Sequence, residues 1–288
     1  MADFEFAAPV DLEEALRLLG ATAGSRPLVG GTDLIDQLNA GRRATDLVVD
    51  LKRIPALMRL EVDGDGLHIG GARSCTDVQQ DSAVRADYAG LAEACGLIGS
   101  VQIQNRAAVA GNVCNAAPSA DTIPALISLS ANAIVRSQSG TREVPLDEFF
   151  VGPGQTVLKD GEILEELVLP SPPESSASAY LRFIPRNEMD IAVAGVGSYV
   201  EVDPESRIII KARIALASVA PTPVRAKEAE SHLEGKVLSD EVIYQAAALA
   251  PHSASPITDV RGTADFRLQL VKVLTARTLR KCAERLSN

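Results

Sequence analysis

Cysteine is scarce in this chain of 288 residues: Cys75, Cys95, Cys114 and Cys282 lie far apart, with no Cys-x-x-Cys among them. That spacing supplies neither a zinc site nor an iron–sulfur cluster, and with no signal sequence in view the four thiols read as reduced. Cys114 lies inside a stretch of small residues, within reach of a ligand there, but reads more simply as a packing residue. Only three histidines occur, His68, His232 and His252, none near another, which argues against metal catalysis and His-based triads. No stretch approaches a transmembrane span, and the start Met1-Ala2-Asp3-Phe4-Glu5 is acidic where a secretory signal would be basic, so a soluble cytoplasmic protein without a membrane span is expected. Positive charge is also short: 28 Lys and Arg stand against 38 Asp and Glu, a formal net charge of -10. An acidic chain is a poor partner for nucleic acid or an anionic membrane, both bound mainly by Lys and Arg. Any anionic ligand must then be held by local donors, and any redox chemistry must use a borrowed cofactor.

Glycine and alanine are placed where a ligand would need them. At Ala107, Ala108, Ala110, Gly111, Ala116 and Ala117 the side chains are small, which predicts a stretch of uncovered backbone, poor in helix or strand character and open to close approach. Upstream, Pro27-Leu28-Val29-Gly30-Gly31-Thr32-Asp33-Leu34 reads as a short buried strand ending in two glycines and a hydroxyl, with a helical turn behind it at Leu34 to Leu38. Successive N–H groups at such a strand-to-helix junction point out unpaired and suit an anion. Neither run has the Gly-x-Gly-x-x-Gly spacing of a dinucleotide fold, and no P-loop sequence occurs, so the standard nucleotide motifs are absent.

With 46% hydrophobic residues, a chain of this length buries a sizeable core and is expected to form two domains. Asp11 and Glu14 form a capping box ahead of a helix with Leu12, Ala15, Leu16 and Leu19 on one face. Leu60-Glu61-Val62 and Leu67-His68-Ile69 read as a hairpin across a glycine-rich turn, with Leu67 and Ile69 opposite Leu60 and Val62. Helices follow at Ser74 to Gln80, Tyr88 to Ile98 and Thr122 to Ala131, the last with Asp121-Thr122 as its cap and Pro124 in its first turn. Ala133 to Arg136, Arg142 to Leu146, Thr156 to Leu158 and Ile163 to Leu169 form an antiparallel strand series. Pro170 to Ser178 is the strongest compositional break and is read as a linker. Beyond it come strands at Ala179 to Ile184, Ile191 to Val200 and Arg207 to Ala217, then helices at Ala226 to Leu233, Asp240 to Ala250 and Arg261 to Arg285. The last helix is expected to pack on the sheet through Phe266, Leu270, Val273, Leu274 and Leu279.

The two glycine runs, the second extended as Gln104-Asn105-Arg106-Ala107-Ala108-Val109-Ala110-Gly111-Asn112-Val113-Cys114-Asn115-Ala116-Ala117-Pro118-Ser119-Ala120-Asp121-Thr122, resemble those of the FAD-binding (medium) subunit of the xanthine dehydrogenase and carbon monoxide dehydrogenase family of molybdenum hydroxylases. Arg186 to Ala192 and Pro256 to Gly262 are similar to recurring elements of that family's C-terminal part, so the resemblance spans nearly the whole chain. It implies an α+β FAD-binding fold of the vanillyl-alcohol oxidase type at residues 1–174, with two α+β subdomains split near residue 55. A C-terminal flavoprotein domain at 179–288, with a small antiparallel sheet and helices, would follow.

It further implies that Pro27, Leu28, Val29, Gly30, Gly31, Thr32, Asp33 and Leu34, with Ala108, Val109, Ala110, Gly111 and Asn112, cradle the FAD pyrophosphate through backbone donors, without Lys or Arg. Asp121 matches a carboxylate that hydrogen-bonds the cofactor, Ile163 or Leu164 an aliphatic contact to it, and Arg182 a position often held by Lys near the flavin. Ala110 departs from the family's usual Gly-Gly pair, placing a methyl group at the expected point of closest approach. With no Trp and only 4 Tyr and 6 Phe, the isoalloxazine is expected between aliphatic or backbone groups. The implied partners are a small subunit carrying [2Fe-2S] clusters and a large subunit carrying the molybdopterin cofactor, assembled as a dimer of heterotrimers. The implied role is electron transfer; a free-standing FAD-dependent reductase and a non-redox nucleotide-binding or assembly module are the alternatives.

Overall fold

The computed structural model describes residues 4–287, so Met1 to Asp3 of the acidic start lie outside the described residues. The first layer runs β1 (Glu5–Ala7), α1 (Leu12–Ala21), β2 (Arg26–Leu28), α2 (Leu34–Asn39) and β3 (Leu47–Asp50). Its strands pair in parallel in the order β1-β3-β2, which requires a crossover helix between successive strands. Helix α1 starts where the sequence places it, with the Glu14 N–H donating to Asp11 Oδ1 at 3.1 Å, and it buries Ala15, Leu16 and Leu19 beside Leu47 and Val49 of β3.

The second layer is an antiparallel sheet in the order β4-β5-β10-β6-β7, formed by β4 (Leu60–Asp63), β5 (Gly66–Gly70), β6 (Asn132–Ser137), β7 (Gly140–Pro145) and β10 (Ile163–Leu169). The small β8 (Phe150–Gly152) and β9 (Gln155–Thr156) pair with each other, so the strand expected at Thr156 to Leu158 is reduced to the end of β9. Leu60 faces Ile69 and Val62 faces Leu67 across the expected hairpin, but Val62 is 41% exposed because β4 is an edge strand.

Between β5 and β6 the chain forms α3 (Cys75–Gln80), α4 (Ser82–Asp87), α5 (Ala89–Cys95), α6 (Val101–Gln104), α7 (Val109–Asn115) and α8 (Thr122–Ser128). Helices α4 and α6 were not anticipated, and α7 overturns the expectation of uncovered backbone. Ala107, Ala108, Val109, Ala110, Val113 and Ala116 are buried. The small side chains let a short helix sink into the core instead of leaving the chain open. Helix α7 ends at Ala116, whose φ of 49° is left-handed, the usual stop for a helix although here without glycine.

The third layer is the sheet β11 (Ser176–Phe183), β12 (Ala194–Val202), β13 (Ile209–Ala217) and β14 (Val224–Arg225), in sequence order and antiparallel. Because β11 begins at Ser176, the last residues of the expected linker belong to a strand. Helices α9 (Lys227–Leu233), α10 (Asp240–Leu249) and α11 (Ala264–Arg285) complete the chain. Helix α11 starts later than expected, capped by Thr263, and turns Leu270, Val271, Leu274, Leu279 and Cys282 inward. Val273 is only half-buried, and Phe266, 41% exposed, meets Phe183 edge to face at a centroid distance of 5.6 Å. The third layer rests directly on α8: a Cβ added at Gly197 of β12 would lie 2.4 Å from the Pro124 carbonyl oxygen. That contact brings β11 alongside the start of α8.

Candidate functional site

The two glycine runs meet. A Cβ on Gly30 would lie 2.3 Å from the Arg106 carbonyl oxygen and 2.8 Å from Ala107 Cα, distances no side chain can occupy, so backbone passes over backbone there. Gly31 follows at φ +73°, the left-handed turn that redirects the chain into α2. On the other side, Gly111 of α7 faces Val29, and a Cβ there would lie 2.9 Å from Val29 Cγ2. The junction opens into a cleft of about 580 Å³, a size ordinary for cofactor sites.

All of Pro27 to Leu34 line this cleft, as do Ala108, Ala110, Gly111 and Asn112. Among the described residues, the N–H groups of Gly30, Gly31, Thr32, Asp33, Ala110 and Gly111 have no acceptor. Those of Ala110 and Gly111 belong to the first turn of α7, where no carbonyl lies a turn earlier to receive them. Val109 differs: its side chain is fully buried in the core and its N–H donates to the Arg73 carbonyl at 3.4 Å, so it does not line the cleft. Ala110 is also almost fully buried and packs in the same core cluster. Side chains fix the walls. Asn112 Oδ1 accepts from the Thr122 hydroxyl at 2.6 Å, tying α7 to α8. The Gln37 amide donates to Asp33 and, at 3.4 Å, to Asn115 Oδ1, tying α2 to the end of α7.

Ile163 and Leu164 also line the cleft, next to a bulge in the pairing of β10 with β6. Aliphatic Leu19, Leu51, Ile98 and Leu158 extend that wall, so the apolar part of the site has no aromatic ring in it. Cys114 lines the cleft as well as packing against the core, and burial pushes its thiol up to about 12, which keeps it protonated.

Sequence reasoning missed the cations: Arg26, Arg43 and Lys159 all line the cleft. Arg26 was legible in principle, because the two-residue repeat of a strand puts it on the same face as Leu28. Arg43, in the connection from α2 to β3, carried no such signal.

Asp121 and Arg182 lie elsewhere. Neither lines the large cleft. Asp121 occupies the N-cap position of α8, but its backbone is helical and its side chain caps nothing. Instead its carboxylate accepts from the Tyr180 hydroxyl at 2.7 Å and from Arg182 Nη1 at 2.5 Å. Burial pushes the Asp121 carboxyl up to about 6, against the opposing pull of Arg182 and Tyr180. Arg182 lines a second cleft of about 410 Å³ with Gly99, Val101, Gln104 and Glu188. Ile98, in the large cleft, and Gly99, in the small one, are chain neighbours, so the two clefts flank one short loop.

Comparison with known proteins identifies the family. Residues 2–172 match the family model described as the FAD binding domain in molybdopterin dehydrogenase, and residues 179–282 match the CO dehydrogenase flavoprotein C-terminal domain. The nicotinate dehydrogenase FAD-subunit of Eubacterium barkeri is 32% identical, with 84% of this chain and 83% of that protein covered. The carbon monoxide dehydrogenase medium chain of Hydrogenophaga pseudoflava is 30% identical over 96% of each chain. A solved structure of carbon monoxide dehydrogenase from Hydrogenophaga pseudoflava, one lacking the Mo-pyranopterin moiety of the molybdenum cofactor, superposes with a TM-score of 0.93 at 30% identity over 98% of each chain. This chain therefore belongs to the family of FAD-binding subunits of the molybdopterin dehydrogenases, the flavoprotein components of oxidoreductases such as carbon monoxide dehydrogenase and xanthine dehydrogenase.

Proposed function

We propose that this chain holds FAD in the large cleft and moves electrons from the [2Fe-2S] clusters of a separate small subunit to an external acceptor. Substrate chemistry then takes place at a molybdenum cofactor on a separate large subunit, and the three subunits assemble in the cytoplasm as a dimer of heterotrimers. The division of labour within the chain is a FAD-binding domain at 1–174 and a C-terminal domain at 179–288.

The observation that carries this reading is the set of unpaired N–H groups at Gly30 to Asp33 and at Ala110 and Gly111, all on one cleft. A diphosphate is the part of FAD that such donors fit, because each supplies a hydrogen bond without a side chain in the way. Ile163, Leu164 and Ile98 offer the aliphatic surface that a flat ring system needs in a site without aromatic walls. Asp121 acts through Arg182, fixing its guanidinium at the neighbouring cleft. When bound, FAD supplies electron transfer in one- or two-electron steps, which no side chain of this chain supplies by itself.

The test uses the purified chain. It is expected to retain FAD, to bleach with dithionite and to recover colour with an artificial acceptor, while oxidising no substrate of the parent complex. Adding the small and large subunits should restore substrate-dependent flavin reduction. Substrate oxidation by the chain alone, free of molybdenum and iron by metal analysis, would instead support a free-standing reductase.

A further inference from the structure

Two cations stand together in the large cleft without counter-ions. Arg26 opens β2, two residues before Leu28 and immediately ahead of the first glycine run, while Arg43 lies in the connection between α2 and β3. Thr45 ties the two segments, its hydroxyl donating to the Gly24 carbonyl at 2.8 Å. Among the described residues neither guanidinium makes an ion pair, and Arg26 Nε is buried with no hydrogen-bond partner. Arg43 is held below its ordinary value first by burial and then by the positive charge of Arg26, with Asp33 pulling the other way. The Asp33 carboxylate, which lines the same cleft, is already engaged with Gln37.

Like charges side by side in a partly desolvated site are costly unless an anion joins them. Both arginines line the one cleft, and the Arg26 Nε within it is buried and unsatisfied. Arg26 and Arg43 line the same cleft as the Gly30–Asp33 loop, whose N–H groups lack acceptors.

We infer that Arg26 and Arg43 are direct ligands of the cofactor's diphosphate, forming the charged half of a cradle whose neutral half is the backbone of Gly30 to Asp33 and of Ala110 and Gly111. The inference rests on the reading of this cleft as the FAD site. It replaces a diphosphate held by backbone alone with one held by five-donor guanidinium groups as well, a geometry suited to phosphate oxygens.

Adenosine and ADP separate the base and sugar from the diphosphate. Calorimetric titration of the full chain, stripped of flavin, is made with ADP, with adenosine and with FAD, on wild type and on the Arg26→Gln/Arg43→Gln double variant. The expected result is an ADP affinity lowered about tenfold or more in the double variant, with a shallower salt dependence and an unchanged adenosine affinity. Arg26→Lys/Arg43→Lys should recover part of the loss, and serves in place of the glutamine pair if that variant loses its far-ultraviolet circular dichroism. A folded variant that binds ADP and FAD as tightly as wild type, with the same salt dependence, overturns the inference while leaving the FAD reading standing. A wild-type chain that binds neither FAD nor ADP removes both.

Discussion

Gly30 shows how little room the site leaves at the scale of one residue. Its missing Cβ would press into Arg106 and Ala107 backbone, which cannot yield, whereas at Gly111 the obstacle is the end of the Val29 side chain, which can. Gly30→Ala should therefore abolish FAD retention on gel filtration and lower stability by about 1–3 kcal/mol, while Gly111→Ala should be milder in both respects. Equal flavin retention in the two variants would separate Gly30 from the site. Asp121 carries a pH-dependent consequence. Its folded value of about 6 lies above the ordinary 3.8, so the folded protein binds this proton more tightly than the unfolded chain does. Its contribution to stability is then fully present below the unfolded value and declines as pH rises through the folded one. Denaturant unfolding at several pH values should show the advantage of wild type over Asp121→Asn shrinking by roughly 3 kcal/mol between about pH 3 and pH 7. A difference that does not change with pH would mean that Asp121 titrates normally.

At the scale of the element, Arg267 pins the start of α11. Its guanidinium donates to the Val193 carbonyl at 2.7 Å, to the Ser218 carbonyl at 3.0 Å and to Asp259 Oδ1 at 2.7 Å, and the side chain is almost wholly buried. Arg267→Met keeps the length of the side chain but leaves those acceptors without a donor, so thermal unfolding should report a loss of about 3 kcal/mol. Retention of wild-type stability would show that water replaces the guanidinium. Elements with a strong local signature were legible in the sequence. The cap at Asp11 fixed α1, and alternation fixed the hairpin of β4 and β5. Helix α7 was not legible, because seven residues holding Val, Gly and two Asn have weak helix propensity and are too short for a clear pattern. The burial of Val109 followed from that, and the Ala110 methyl packs in the same core cluster while the residue also lines the cleft. The glycine runs were legible as a site because glycine at a close approach leaves a trace in sequence. The pairing of Asp121 with Arg182 was not, since it depends on how β11 meets α8.

The whole molecule is organised by that meeting. Glycines at Gly90 and Gly197 let the third layer sit on α5 and α8 with backbone in contact, and Lys281 of α11 bridges back to Glu93 of α5 at 2.6 Å. The first two layers are likewise joined by the crossing of Gly30 over Arg106, and the large cleft lies along that seam, lined from both sides. Binding is thus expected to depend on the relation between layers, which the sequence expresses only through its small residues. The central claim is that one anion bridges the seam. An experimental structure of the full chain with FAD measures this directly. The account predicts the diphosphate within hydrogen-bond distance of the N–H groups of Gly30 to Asp33 on one side and of Ala110 and Gly111 on the other. A diphosphate lying elsewhere, with those N–H groups facing only solvent, would contradict it.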